Sequence, residues 1–210
     1  MFMPKVFVED DLRKSLDLVE SHSLGTLVVS SAGEYDVNHL PFVVDSKDSE
    51  NIRLRAHLPK VNPLCSLVNG AKKCVVVFKG ADGYITPSWY ATKKAHGKVV
   101  PTWNYSVVHM HGTMQLNDDP DWIYRQLTDL TNINEKARDE SWKVTDAPAR
   151  FIESQVKALI GLEIVVHRVE GKIKASQNQP AENKETIIAA LKSEQPDTEL
   201  SKMMESKLNR

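Results

Sequence analysis

The sequence predicts an α+β fold built on a predominantly antiparallel sheet or small barrel. Three observations carry that expectation. About seven stretches have strand character, and the helical stretches are inserted between them or appended rather than alternating with them one for one. The cleanest strand, IRLRAHL at 52–58, places Arg53, Arg55 and His57 on one face and Leu54, Ala56 and Leu58 on the other. That strict alternation belongs to a sheet with one covered face, not to the doubly buried strands of a parallel sheet.

The remaining elements follow in order. Asp10 or Asp11 is placed to cap a helix whose Leu12, Leu16 and Val19 share a face. LGTLVVSS (24–31) reads as a strand, SAGEYD (31–36) as a turn and VNHLPFVV (37–44) as the next strand. Pro41 has no N–H, so that strand is an edge or carries a bulge. Pro59 ends the alternating strand, and NPLCSLVNG (62–70) is a short helix closed by Gly70. CVVVFKG (74–80) and GYITPSWY (83–90) are strand segments, ATKKAHGK (91–98) is a loop, and NYSVVHMHGTMQL (104–116) is a long alternating strand. Asp119 and Pro120 open a helix carrying Trp122, Ile123, Leu127 and Leu130. Asp146 opens another, which Gly161 stops, and LEIVVHRVEGKIKAS (162–176) is a last long strand interrupted at Gly171. Residues 177–185 read as a linker, and two amphipathic, charge-balanced segments finish the chain.

Composition narrows the function. Hydrophobic residues make up 41% and charged residues 26%, an ordinary globular balance, and 27 basic against 28 acidic residues leave a net charge of −1. No basic excess drives non-specific nucleic-acid binding, and no segment forms a helix-turn-helix with a basic recognition face. GxGxxG, GxxxxGK[ST] and GxSxG are absent. Cys65 and Cys74 lack metal spacing and read as reduced, buried thiols. The N-terminus has no signal-peptide pattern, and no run approaches the roughly 18 apolar residues of a membrane span, so the expected location is the cytoplasm, without a membrane.

Several polar constellations stand out. Arg53, Arg55 and His57, followed by Lys60 and Asn62 at the strand exit, have the cations and donors a phosphate needs; the alternative is a solvated strand face with Asn62 capping the next turn. His39 lies beside Pro41, where a bulge would free backbone groups for a ligand. His109 and His111 share a strand face but lack an evident third ligand, so no metal site is expected. Lys172, Lys174 and Ser176 share another face, with Gln177 and Asn178 at its end. No acid–base pair emerges, and no catalytic residue is assigned. Residues 83–112 concentrate two tryptophans, three tyrosines and three histidines.

Taken together, MPKVF (3–7), GTLV (25–28), HLPF (39–42), LRAHLPKVNP (54–63), VVFKGADGYITPSWY (76–90), VVPTWNYSVVHMHG (99–112), LTNINE (130–135), IGLEI (160–164) and EGKIKASQN (170–178) resemble the PaiB family of FMN-binding negative transcriptional regulators. Ala56, Pro59 and Thr86 depart from the family's usual residues. The resemblance implies an antiparallel split β-barrel of the FMN-binding type with peripheral helices, spanning 1–178, and a helical C-terminal extension over 179–210. It implies a homodimer with FMN at the interface. The flavin ring is then expected near His39, Leu40, Pro41 and Phe42, and its phosphate near His57, Lys60 and Asn62. Trp103, Asn104, Lys174, Gln177 and Asn178 would come from either subunit. Trp89, Tyr90, Trp103 and Tyr105 would supply interface area, with 91–98 as a lid. The implied function is transcriptional regulation through the flavin, a protein partner or DNA. An FMN-dependent oxidoreductase and a haem-binding or haem-degrading protein are the alternatives.

Overall fold

The computed structural model describes residues 1–31, 33–46, 51–68, 70 and 72–208. Its strands are β1 (Val8–Glu9), β2 (Leu24–Ser31), β3 (Glu34–Pro41), β4 (Val43–Ser46), β5 (Ile52–Pro59), β6 (Lys72–Ile85), β7 (Thr102–Asn117) and β8 (Leu159–Lys174). Its helices are α1 (Leu12–Ser21), α2 (Leu64–Leu67), α3 (Lys93–His96), α4 (Pro120–Glu135), α5 (Ala149–Ala158), α6 (Ala181–Glu194) and α7 (Glu199–Leu208). The strands form one antiparallel sheet in the order β3-β2-β6-β7-β8-β5-β4, with β1 paired to β8. The α+β class is as expected.

Local chemistry accounts for the element ends. Asp11 Oδ1 accepts from the N–H of Arg13 at 3.0 Å and starts α1, and Asp119 Oδ1 does the same for Asp121 at the head of α4. Pro41, unable to donate to a ladder, is the last residue of β3. The Phe42 N–H donates instead to Ser23 O at 2.8 Å, and the expected single strand over 37–44 is therefore two, β3 and β4.

That break decides the architecture. β3 and β4 lie at opposite ends of the strand order, yet only Phe42 separates them in the chain. One extended residue spans about 3.5 Å, so the two ends of the sheet must be brought together by rolling it into a barrel.

The chain forms two compact units, whose boundaries fall inside α1, β6, β7 and β8. Residues Leu16–Phe78 and His109–Val169 make the unit that contains the rolled sheet. Its core is supplied at period two: Leu27 and Val29, Leu54, Ala56 and Leu58, Val76 and Phe78, Met110 and Met114, and Leu162 and Ile164 are each at most 1% exposed. Phe42 meets Phe78 edge-on with ring centroids 5.8 Å apart, over Gly25, where a Cβ would come within 2.9 Å of Phe42, Phe78 and Val76.

The other unit comprises Met1–Ser15, Lys79–Val108 and Glu170–Arg210. Its core joins Ile85 and Tyr90 to Ile187, Ile188 and Leu191 of α6 and Leu200 and Met204 of α7. A Cβ on Gly83 would sit 2.5 Å from Leu200 Cδ2, which shows how closely α7 is laid down.

Four expectations are corrected. Residues 177–185 are not a linker: α6 begins at Ala181, and Asn183 is buried. CVVVFKG and the first three residues of GYITPSWY belong to one continuous strand, β6, which ends at Ile85; Pro87–Trp89 form a 3-10 turn instead of more strand. Gly161 does not stop a helix, because α5 ends at Ala158 and Gly161 lies within β8, packed under Trp122. Gly171 does not interrupt that strand; a Cβ there would collide with Ser15 Oγ at 2.5 Å and Glu9 O at 2.9 Å, so glycine admits close packing. Among the described residues, no helix is long and apolar enough to cross a membrane.

Candidate functional site

β5 delivers its three basic side chains to one face, as the alternation predicts, but most of that charge is already spent. Arg53 Nη1 lies 2.6 Å from Glu163 Oε1. Arg55 reaches Asp45 at 2.5 Å and Asp129 of α4 at 2.8 Å. Burial works to lower the Arg55 pKa, but hydrogen bonds to Asp45 and Asp129 outweigh it and raise the group above its ordinary value. Within the sheet the pairings run diagonally: Glu163 of β8 lies opposite Arg55 and Asp45 of β4 lies opposite Arg53, each two residues along from the arginine it meets.

Below the arginines the face stays open. His57 Nδ1 is 2.6 Å from Gln126 Oε1, while its Nε2 has no partner among the described residues. Lys60, on the turn after β5, is exposed, and its ammonium has no partner among the described residues; its backbone N–H donates to Ala158 O at 2.9 Å. Asn62 is engaged at both ends of its amide, donating to Asn38 at 2.9 Å and accepting from the Leu64 N–H at 2.9 Å, which makes it the organiser of the turn into α2.

The 39–42 stretch offers backbone rather than side chains. Leu40 and Phe42 are 8% and 2% exposed, so both side chains belong to the core. His39 Nδ1 contacts Thr26 Oγ1 at 3.0 Å. Among the described residues β3 is hydrogen-bonded to β2 alone, which places it at one end of the strand order. Phe42 also lines a cavity of about 250 Å³ together with Val43, Val44, Leu130 and Ile133. A larger cavity, about 450 Å³, lies against Tyr124, Val144, Ile152 and Val156 and contains none of the expected site residues.

In the other unit the expected residues divide sharply by exposure. Trp103 is 50% exposed; its Nε1 donates to Asp82 at 3.1 Å, and its ring meets Tyr84 edge-on at 6.2 Å. The Lys79 hydrogen bond, helped by that of Trp103, holds the Asp82 carboxyl below its ordinary value against a small desolvation. Asn178 is exposed. Lys174 Nζ donates to Thr102 Oγ1 at 2.5 Å, and Gln177 closes on its own strand through Ile173 O and the Ala175 N–H. Asn104 is fully buried, with Nδ2 on Ser176 Oγ and Met204 Sδ and no partner for its Oδ1. Tyr90, expected to supply interface area, is 4% exposed inside its own unit's core.

Gln126 was not visible as a site residue in the sequence. It is fully buried, its Nε2 has no hydrogen-bond partner among the described residues, and its Oε1 meets His57. The signal was its spacing: Gln126 and Asp129 lie three apart on α4, so they share the face that meets His57 and Arg55.

A family described as "Putative FMN-binding domain" matches residues 1–168. The chain belongs to that family. Among its relatives, the Bacillus subtilis protein "Protease synthase and sporulation protein PAI 2" is 29% identical, over 100% of this chain and 99% of its own length. An uncharacterized Saccharomyces cerevisiae protein is 33% identical over 72% of this chain and 100% of its own. A solved structure described as the FAD and heme binding protein from Mycobacterium smegmatis superposes with a TM-score of 0.58 at 16% identity, covering 86% of this chain and 78% of that one. The fold of the chain is the antiparallel split β-barrel with peripheral helices and a helical C-terminal extension.

Proposed function

We propose that this chain binds FMN as a homodimer and works as a PaiB-like negative regulator of transcription, through the flavin or a protein partner rather than a DNA-reading motif. The observation that carries this reading is the corner after β5. There Lys60 presents a free ammonium and His57 a free ring nitrogen, within the 1–168 stretch that matches the FMN-binding family.

The residues present suit a flavin phosphate at that corner. Arg53 and Arg55 are neutralised by carboxylates, so Lys60 supplies the charge. Gln126 Oε1 accepts from His57 Nδ1, so Nε2 of the neutral ring is an acceptor that suits a hydroxyl of the ligand, and Lys60 supplies the donor to the phosphate oxygens. Asn62 holds the turn. The backbone of His39–Pro41, on the edge of β3 turned away from β2, is the part of this stretch available to a flavin ring edge, since the Phe42 N–H is given to Ser23 O and Pro41 has none, while the Leu40 and Phe42 side chains stay in the core. Of the remaining expected residues, Trp103 and Asn178 keep exposed side chains and are the ones we assign to a cofactor edge in the dimer. The exposed Tyr84–Trp103 pair is an aromatic anchor of the kind that subunit interfaces bury. FMN, when bound, supplies reversible electron acceptance.

The test is flavin absorbance retained after desalting, with light scattering to read subunit number. Lys60→Ala is expected to weaken FMN binding about tenfold or more through loss of one charge-assisted contact. Equal retention by Lys60→Ala would sink the assignment. Because the structurally similar M. smegmatis protein is described as binding FAD and heme, haem titration is the control. A Soret band without flavin retention would replace the flavin reading.

A further inference from the structure

Residues 83–117 contain no aspartate or glutamate in a run of 35, yet they carry Lys93, Lys94, His96 and Lys98 on one short loop. That loop is not loose. Thr92 is buried and tied to Asn183 of α6: the Thr92 N–H donates to Asn183 Oδ1 at 3.0 Å, and Asn183 Nδ2 donates back to Thr92 Oγ1 at 3.0 Å and to Gln179 Oε1 at 3.1 Å. Gly97, in the left-handed region at φ 67°, ends α3 and turns the chain toward Lys98. Beneath this loop lies a cavity of about 230 Å³, lined by Thr92, His96, Lys98, Gln179 and Asn183 among others.

An inventory of hydrogen-bonding capacity around the cavity gives a one-sided answer. Thr92 Oγ1 already accepts, so its own O–H proton remains to be given. Gln179 Oε1 is used by Asn183, which leaves the amide NH₂ of Gln179 without an acceptor among the described residues. His96 Nδ1 accepts from the Lys98 N–H at 3.0 Å, so the neutral ring carries its proton on Nε2 and offers a donor there. Lys98 adds an ammonium with no carboxylate partner among the described residues. The nearby carboxylates of α6, Glu182 and Glu185, do not line the cavity. Asn183 has both ends of its amide occupied and serves to hold Thr92 and Gln179 in place.

We propose that this cavity is an anion site for the phosphoryl group of a small molecule. A space whose uncommitted side-chain polar groups, the hydroxyl of Tyr90 included, can all donate, with a cation in its lining and no carboxylate, favours a ligand rich in acceptors. At about 230 Å³ it is smaller than the pockets of roughly 300–1,000 Å³ that enclose drug-sized ligands, so a phosphate and a few attached atoms are what it holds.

The test uses full-length, ¹⁵N-labelled protein without flavin, titrated with inorganic phosphate, with a simple phosphate monoester (glycerol phosphate) and with acetate at matched ionic strength. Saturable shifts at the amides of Thr92, His96, Lys98 and Gln179 are expected with both phosphates and not with acetate. Tighter binding of the ester than of free phosphate would identify the ester as the ligand, and the reverse would identify free phosphate. Lys98→Ala is expected to weaken phosphate about tenfold, while Lys98→Arg retains it. Gln179→Ala, which leaves the charge untouched, is expected to weaken it by a smaller factor. FMN retention by Lys98→Ala is measured alongside and is expected to match that of the parent. Unsaturable shifts spread over all surface lysines would overturn the proposal, as would equal phosphate affinity in Lys98→Ala. Joint loss of phosphate and FMN in Lys98→Ala would also overturn it, by assigning the cavity to the flavin's own phosphate.

Discussion

Replacing Gly161 with alanine separates two readings of that glycine by an energy the structure lets us work out. A Cβ at Gly161 would lie 2.3 Å from Trp122 Cζ3, 2.6 Å from Cε3 and 3.1 Å from Asn117 O. Carbon atoms in contact sit about 3.5–4.0 Å apart, so the indole would have to retreat by more than about 1 Å. It cannot do so freely, because Trp122 sits on α4 next to Ile123 and one turn before Gln126, both of which are buried and anchor the helix. Overpacking of this kind costs about 1–3 kcal/mol, and a rigid ring close to backbone places Gly161→Ala near the upper end. For a chain of this size that lowers Tm by about 4–12 °C. At a strand position with room, alanine would instead help by about 0.5–1 kcal/mol, since glycine there carries an entropic cost. The assay is thermal and urea unfolding of Gly161→Ala alone and in a Trp122→Leu background. Trp122→Leu destabilises by itself, but within it Gly161→Ala should be neutral or slightly favourable. An equal cost in both backgrounds would refute the packing argument and restore a backbone role for the glycine.

Two further predictions concern the buried ionisable groups. Lys207 of α7 meets Glu9 at 2.6 Å, with side chains 12% and 3% exposed, so Lys207→Ala strands a buried carboxylate and should cost about 3–5 kcal/mol in urea unfolding; a double change to Lys207→Met and Glu9→Gln should recover most of it. Burial pushes the Cys74 thiol up to about 12, so the folded protein should resist thiol-specific labelling of Cys74 at pH 8 until it is unfolded. Because the folded pKa lies above the ordinary value of 9.0, the stability tied to the neutral thiol is present below about pH 9 and is lost as pH rises toward 12. A Cys74→Ser variant should flatten that alkaline decline in unfolding free energy.

Much of the fold was legible because its signals are local. The 24–31 strand, the 52–58 alternation and the Asp119–Pro120 helix start each depend on residues within one turn or one ladder position, and each is found in the structure, whereas Pro41, expected to mark an edge or a bulge within one strand, ends β3 and divides that strand in two. The misreadings at Gly161 and Gly171 share one cause. Glycine was taken as a backbone punctuator, whereas both sites are strand positions where another part of the chain comes too close for a Cβ. The 177–185 stretch looked like a linker by composition, but Asn183 is buried because Thr92 supplies partners for both ends of its amide. The candidate site was legible to the same extent. Alternation correctly put Arg53, Arg55 and His57 on one face, and nothing in that strand revealed that Glu163, Asp45 and Asp129 consume the arginines.

By itself, the sequence determined the periodicities, the element ends and the family, because these are written in neighbouring residues and short motifs in order. Tertiary structure alone decided which cations stay free, which glycines are forced by contact, and that α6 and α7 complete a core. It also decided which polar atoms around residues 92–98 are left as donors. Those outcomes depend on what residues distant in the chain bring to the same place, and a hydrogen bond or charge is free or spent according to its partner, not its own identity.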